Sequence, residues 1–194
     1  KPFAAAEQQS SSGFQSEDTE ILSKAARVSE PEDVLTPQFF PIAASPYTAS
    51  QTLGLKVDVD IVKEKYQKLK DAHDMMLVEG MGGIMTPILE DYYVADLIKD
   101  MELPAIIVIR SKIGTINHTL MTHKICKDYK IPVAGVIINN FDPEGYPSSE
   151  LKRDIENLTK VNVLGSIPKL NSLNADDVAK QIQNNLDLDK LLNN

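Results

Sequence analysis

The sequence predicts an α/β fold built on a mostly parallel sheet, and three observations carry that expectation. Short apolar runs of strand length recur at Met75–Glu79, Pro104–Arg110, Val133–Asn139 and Val161–Ile167, and the first reads as a strand buried on both faces. Helical segments fill the gaps between them, and strands alternating with helices of this length imply right-handed βαβ crossovers. Polar turns follow the strand ends, the edge where open α/β sheets place their ligands.

Composition narrows the class. The chain has 194 residues, 42% hydrophobic, enough for one domain, residues 1–194, with a sizeable core. Its net charge of −8 and pI near 4.9, with no basic stripe interleaved with aromatics, argue against a nucleic-acid or anionic-membrane surface; a local positive pocket for phosphates stays compatible. No apolar run approaches the roughly 18 residues of a membrane span, and no signal peptide is visible. Cys126 is the single cysteine, so neither an internal disulfide nor a cysteine metal cluster is expected. Cytoplasm is the expected location. The sequence opens on Lys1, and an upstream portion is expected.

From the start, Lys1–Ala6 is a short apolar piece led by Lys-Pro, and Glu7–Gln15 is a polar loop. Ser16 and Asp18 open a helix whose buried side is Ile21, Leu22, Ala25, Ala26 and Val28. Prolines 31, 37, 41 and 46 make Thr36–Ile42 irregular or extended, and Ser45–Leu53 is a short helix. Asp58 caps a helix over Val59–His73, with Ile61, Val62, Tyr66, Leu69 and Ala72 as the stripe facing a sheet and Lys63, Lys65, Lys68 and Lys70 on the solvated side. Further helices are expected over Tyr93–Met101, Ile116–Lys130, Ser148–Lys160 and Ala175–Leu192.

Chemistry is expected in the turns after the strands. Glu79 ends the first strand, and Gly80, Gly82 and Gly83 let the backbone bend and approach a ligand without Cβ obstruction. A carboxylate beside bare backbone suits a Mg²⁺–phosphate site, although an incidental Glu in a βα turn fits the same letters. Gly114-Thr115 precedes a helix whose free N–H groups and dipole favour an anion. Asn139-Asn140 ends the third strand and Gly165-Ser166-Ile167-Pro168 the fourth, and the four loops are expected to converge. His73 and His123 lack metal-ligand spacing, and no GxSxG nucleophile elbow is present. No GxxxxGK[ST] phosphate loop occurs either, so a main phosphate cradle is not among residues 1–194.

Taken in order, Lys1-Pro2, Asp18 within SEDTEIL, Ser45-Pro46-Tyr47-Thr48-Ala49, VEGMGGIMTP at Val78–Pro87, IGTINHTL at Ile113–Leu120, AGVIINN at Ala134–Asn140 and GSIP at Gly165–Pro168 resemble the dethiobiotin synthetase family. The resemblance spans nearly the whole chain. IGTINHTL is its most specific piece, because generic P-loop proteins lack it. It implies a doubly wound α/β fold of the P-loop NTPase type in a homodimer. The implied reaction is an ATP-dependent ring closure (a cyclo-ligase, in biotin synthesis) from 7,8-diaminopelargonate and CO₂.

By position, the resemblance implies Asp18 and Glu79 as Mg²⁺ ligands in the ATP site and Lys1 as the catalytic lysine that reaches the carbamate and γ-phosphate. Ala5, Gly82 and Gly83 would lie against substrate, with Gly82 also beside the nucleotide. Gly114, Thr115, Ile116 and Asn117 would hold the substrate carboxylate across the dimer interface. Asn139 would read the adenine edge, with Pro168 and Lys169 near the ring.

The family's first strand, its GTxTxVGKT loop and first helix, roughly 35 residues, are expected before Lys1. KPFAAA departs from the family's KPxxTG or KPxxSG, with Ala5 in place of a hydroxyl and Ala6 in place of glycine. That removes one hydrogen bond, on the order of 1 kcal/mol. Met81 replaces the alanine of VEGAGG. Two other readings remain compatible with the sequence: an amidating or partition-type ATPase of the same fold, and a non-catalytic relative that binds a nucleotide or partner.

Overall fold

A computed structural model gives the fold of residues 1–5, 15–141, 146–171 and 174–192. The loop predicted over Glu7–Gln15, except Gln15 itself, lies outside these residues, as does Ala6. Packing divides the chain into two compact units, Lys1–Met101 and Glu102–Asn194.

In the first unit, β1 (Phe3–Ala5) pairs in parallel with β2 (Gln38–Phe40), Phe3 opposite Gln38 and Ala5 opposite Phe40. Phe3, Ala4 and Phe40 are buried. Local chemistry sets the helix starts. Ser16 accepts from Thr19 N–H at the head of α1 (Glu17–Ala26), and Glu32, from the short α2 (Glu32–Leu35), takes the N–H groups of Gln15 and Ser16 at 2.8–3.0 Å. Ser45 caps α3 (Pro46–Leu53), where proline at the first helical position forfeits no hydrogen bond. Asp58 caps α4 (Val59–Ala72) by accepting from Ile61 N–H at 3.2 Å. An antiparallel hairpin, β3 (Pro87–Leu89) with β4 (Tyr92–Tyr93), leads into α5 (Val94–Asp100).

Three expectations for this unit are corrected. Met75–Glu79 forms no strand. Its backbone has no ladder partner among the described residues, and Met75 and Leu77 are 59% and 77% exposed. Extended backbone becomes a strand only when its N–H and C=O groups are paired. The buried side of α1 is Thr19 and Ser23, while Ile21, Ala25 and Ala26 are exposed. Likewise, Val62 is the buried residue of the α4 stripe, with Ile61 and Ala72 exposed. The apolar sides of α1 and α4 instead line an open cavity of about 530 Å³, with Leu22, Tyr66, Leu69, Met76 and Val78 in its wall. Neither α2 nor the β3–β4 hairpin was anticipated.

The second unit follows the predicted rhythm closely. β5 (Ala105–Arg110), β6 (Val133–Phe141) and β7 (Val163–Pro168) form a parallel sheet in that order, joined through α6 (Thr115–Tyr129) and α7 (Ser148–Thr159). Ile107, Ile109, Val136, Ile138, Leu151, Ile155 and Val163 make its core. Each such side chain contributes about 1.5–3 kcal/mol on burial. β5 alternates in burial, with Val108 60% exposed.

The helix predicted over Ala175–Leu192 is instead α8 (Ala175–Asn185) and α9 (Leu188–Leu192). The break is a tertiary bond: Leu186 bridges to Gly165 and Asp187 N–H donates to Leu164 C=O at 2.8 Å. Gly165 permits this approach, because a Cβ there would lie 1.9 Å from Asn185 C=O.

Candidate active site

The first unit gathers three of the expected residues. Lys1 leads into β1, Asp18 sits in the first turn of α1, and Glu79 follows the unpaired run. Lys1 Nζ lies 2.7 Å from Asp18 Oδ2 and 2.5 Å from Glu79 Oε1. The lysine side chain is 6% exposed, whereas the two carboxylates are 60% and 51% exposed. Burial pulls the Lys1 pKa down, but hydrogen bonds to Asp18 and Glu79 and their charges outweigh it and hold the ammonium above the usual lysine value.

Asp18 is placed by contacts that sequence reasoning missed. Ser16 is buried beneath the Glu32 carboxylate, and Thr19 Oγ1 bonds Thr36 Oγ1 at 2.5 Å in the interior. Neither contact leaves a local signal, since the partners lie 16 and 17 residues apart.

Beyond Glu79 the chain turns through Gly82 at φ 72°, where a Cβ would stand 2.5 Å from Thr86 Oγ1; Gly83 has open space around it and its C=O accepts from Thr86 N–H. Gly82 and Gly83 are exposed, and Ala5 pairs with Phe40 at the end of β1. His73 is structural: its Nε2 lies 2.6 Å from Glu30 Oε1.

In the second unit α6 opens from Gly114 at φ 91°. Thr115 N–H is already taken by Lys112 C=O, and His118 N–H by Gly114 C=O. The Ile116 and Asn117 N–H groups remain without an acceptor among the described residues, so two donors stand at the positive end of the helix. Thr115 is buried; Asn117 and His118 are exposed, and Asn117 Nδ2 donates to Met121 Sδ at 3.5 Å. Ile113, just before this turn, is 98% exposed.

The strand ends lie side by side. Arg110 pairs with Asn139, and Phe141 with Pro168. Asn139 Oδ1 accepts from Asn140 N–H at 2.9 Å, with Asn140 at φ 56°, and Lys169 N–H donates to Phe141 C=O. The Asn139 carboxamide is thereby oriented, and its Nδ2 donors keep no partner among the described residues.

Three parallel strands joined through helices make an α/β protein, and a family model described as AAA domain, matching residues 1–177, sets it among proteins of the P-loop NTPase type. Within that class the chain belongs to the ATP-dependent dethiobiotin synthetase family. It is 55% identical over 192 residues, 99% of its length and 84% of the relative's, to the ATP-dependent dethiobiotin synthetase BioD of Nitrosopumilus maritimus. It is 37% identical to the BioD of Bacillus velezensis over 91% of this chain and 76% of that protein, and 35% identical to that of Bacillus subtilis over 91% and 77%.

Proposed function

We propose that this protein closes the ureido ring of dethiobiotin from 7,8-diaminopelargonate, CO₂ and ATP. One amine adds to CO₂ and loses a proton, giving a carbamate. The carbamate oxygen takes the γ-phosphoryl group, releasing ADP and leaving a carbamic-phosphoric anhydride. The second amine attacks the carbonyl carbon, the C–O bond to phosphate breaks, and the ring closes. A carbamate is a poor electrophile, so phosphorylation is what makes ring closure feasible.

The observation that carries this reading is the convergence of Asp18 and Glu79 on the ammonium of Lys1, at 2.7 and 2.5 Å. Two exposed carboxylates aimed at one cation suit Mg²⁺, which takes one or two carboxylates and completes its shell with water and substrate phosphates. Bound there, Mg²⁺ would offset charge developing on the transferred phosphoryl. Lys1 supplies the second positive charge, toward the carbamate and γ-phosphate.

Other roles follow from the positions of the residues. The Ile116 and Asn117 N–H groups hold the diamine's carboxylate, with Gly114 and Thr115 shaping the turn. The exposed Ile113 and Met121 beside them support a homodimer with this turn facing the partner's cleft. Asn139 reads the adenine edge, with Pro168 and Lys169 against the ring. Ala5, Gly82 and Gly83 face substrate, Gly82 also the nucleotide. No described helix is long and apolar enough to cross a membrane, and the lone buried Cys126 suits the cytoplasm.

The direct test supplies diaminopelargonate, bicarbonate and MgATP to the protein and follows dethiobiotin and phosphate together. Equal yields of both support the reading. ATP hydrolysis indifferent to the diamine overturns it in favour of another ATPase of the fold.

A further inference from the structure

We propose that the Lys1 ammonium is the resident counter-cation of the Asp18–Glu79 pair and competes with a divalent cation for it, so that metal enters only as Lys1 leaves. This rests on Asp18 and Glu79 being the metal ligands. The distances of 2.7 and 2.5 Å mark tight charge-assisted contacts, so Asp18 Oδ2 and Glu79 Oε1 already carry a charged partner. Mg²⁺ bridging the same two carboxylates at about 2.1 Å would stand within a few ångström of the ammonium, whichever lone pairs it takes. That would put two cations in contact, and one must withdraw.

The burial pattern shows which one can move and by what route. The lysine reaches the pair from inside the unit, at 6% exposure, while both carboxylates face solvent. An arriving cation therefore meets the oxygens from the open side. The Lys1 backbone is held, its nitrogen donating to Leu35 C=O at 3.1 Å and the next residues paired in β1. Departure is thus a swing of the flexible four-carbon stem. The freed ammonium carries three donors and no acceptor, so it leaves readily only when new oxygens are offered nearby. A nucleotide triphosphate offers them, and also fills the open positions on the metal. Metal and nucleotide should consequently bind with positive coupling, and metal alone should bind weakly.

The test is Mn²⁺ binding, read from the EPR signal of free Mn²⁺, with no nucleotide present. Lys1→Met keeps the apolar stem and removes the charge, and should bind Mn²⁺ about tenfold more tightly than the wild type, within the usual range of coupling between ligands. Lys1→Arg retains the charge and should not. Lys1→Gln repeats the neutral case if the methionine variant is poorly folded. Asp18→Asn in the Lys1→Met background should erase the gain, and a non-hydrolysable ATP analogue should shrink the difference between Lys1→Met and wild type. Unchanged Mn²⁺ affinity in both neutral variants, with Asp18→Asn still weakening it, would overturn the competition while leaving the metal ligands in place. Mn²⁺ affinity indifferent to Asp18→Asn in every background would overturn both.

Discussion

Gly135 lies in β6 against Leu164 of β7, and the two strands carry Asn139 and Pro168 at their ends. A Cβ on residue 135 would stand 2.5, 2.6 and 3.0 Å from Leu164 Cγ, Cδ1 and Cδ2. Leu164 is 3% exposed, enclosed on its outer side as well. Gly135→Ala must therefore part β6 from β7 or force Leu164 off its rotamer, an overpacking cost of about 1–3 kcal/mol. A chain of this size should lose about 2–4 °C in melting temperature per kcal/mol.

Leu164→Ala removes all three clashing atoms. Alone it should cost about 2–5 kcal/mol by leaving a cavity. In the double variant the new methyl occupies part of that space, so the combined loss should fall short of the sum by at least about 1 kcal/mol, measured by urea and thermal unfolding of the four proteins. The strand displacement should also raise the KM for ATP in Gly135→Ala, by shifting Asn139 relative to Pro168. Losses that add to within about 0.5 kcal/mol would refute the packing argument.

Further tests address the site and the scaffold around it. Asn117→Pro, which removes one of the two free N–H donors at a first-turn position where proline is tolerated, should raise the KM for the diamine with little change in kcat, since the contact is made in ground and transition states alike; steady-state kinetics in diamine and in ATP would show the effect confined to one substrate. Glu79→Gln should lower turnover and raise the Mg²⁺ concentration needed for half-maximal rate. Thr19→Val should destabilise by about 1–3 kcal/mol, because it leaves the buried Thr36 hydroxyl without its partner; denaturant unfolding would measure it.

Asp100 provides the pH test. The hydrogen bond from Lys63, ahead of that from Tyr92, holds its carboxyl below the ordinary aspartate value despite partial burial. Its folded-state pKa is thus depressed, so the stabilisation is present above the unfolded value and lost as pH falls through the folded one. The stability gap between wild type and Asp100→Asn should be widest above about pH 5 and narrow as pH falls below the ordinary aspartate value, as pH-dependent melts would show.

How far the sequence could be read depends on whether a signal is local. Ser16, Ser45 and Asp58 each accept a hydrogen bond from an N–H three residues ahead, so helix starts were visible in short windows. The alternation from Ala105 to Pro168 was equally plain, because β5, β6, α7 and β7 all bury apolar side chains in one core. Met75–Val78 carries the same kind of apolar run and yet is not a strand. An apolar run states what a segment would bury, and only a neighbouring backbone decides whether its ladder forms. The break at Leu186 combines both kinds of signal: Asp187 caps α9 by accepting from Lys190 N–H, while the bridge from Leu186 to Gly165 is made through space.

The sequence by itself determined the α/β class, the helix caps, the anion-favouring start of α6 and, through IGTINHTL, the family. Tertiary structure alone decided that Lys1 meets Asp18 and Glu79, the latter 78 residues away, and that this lysine is nearly buried while its carboxylate partners are open. It also decided that Thr115 N–H is spent on Lys112, leaving two donors at the α6 terminus. Propensities and caps act over a turn or two of chain, where the letters suffice. Charge pairing and strand pairing act through space, and only the folded path of the backbone sets which groups come within reach.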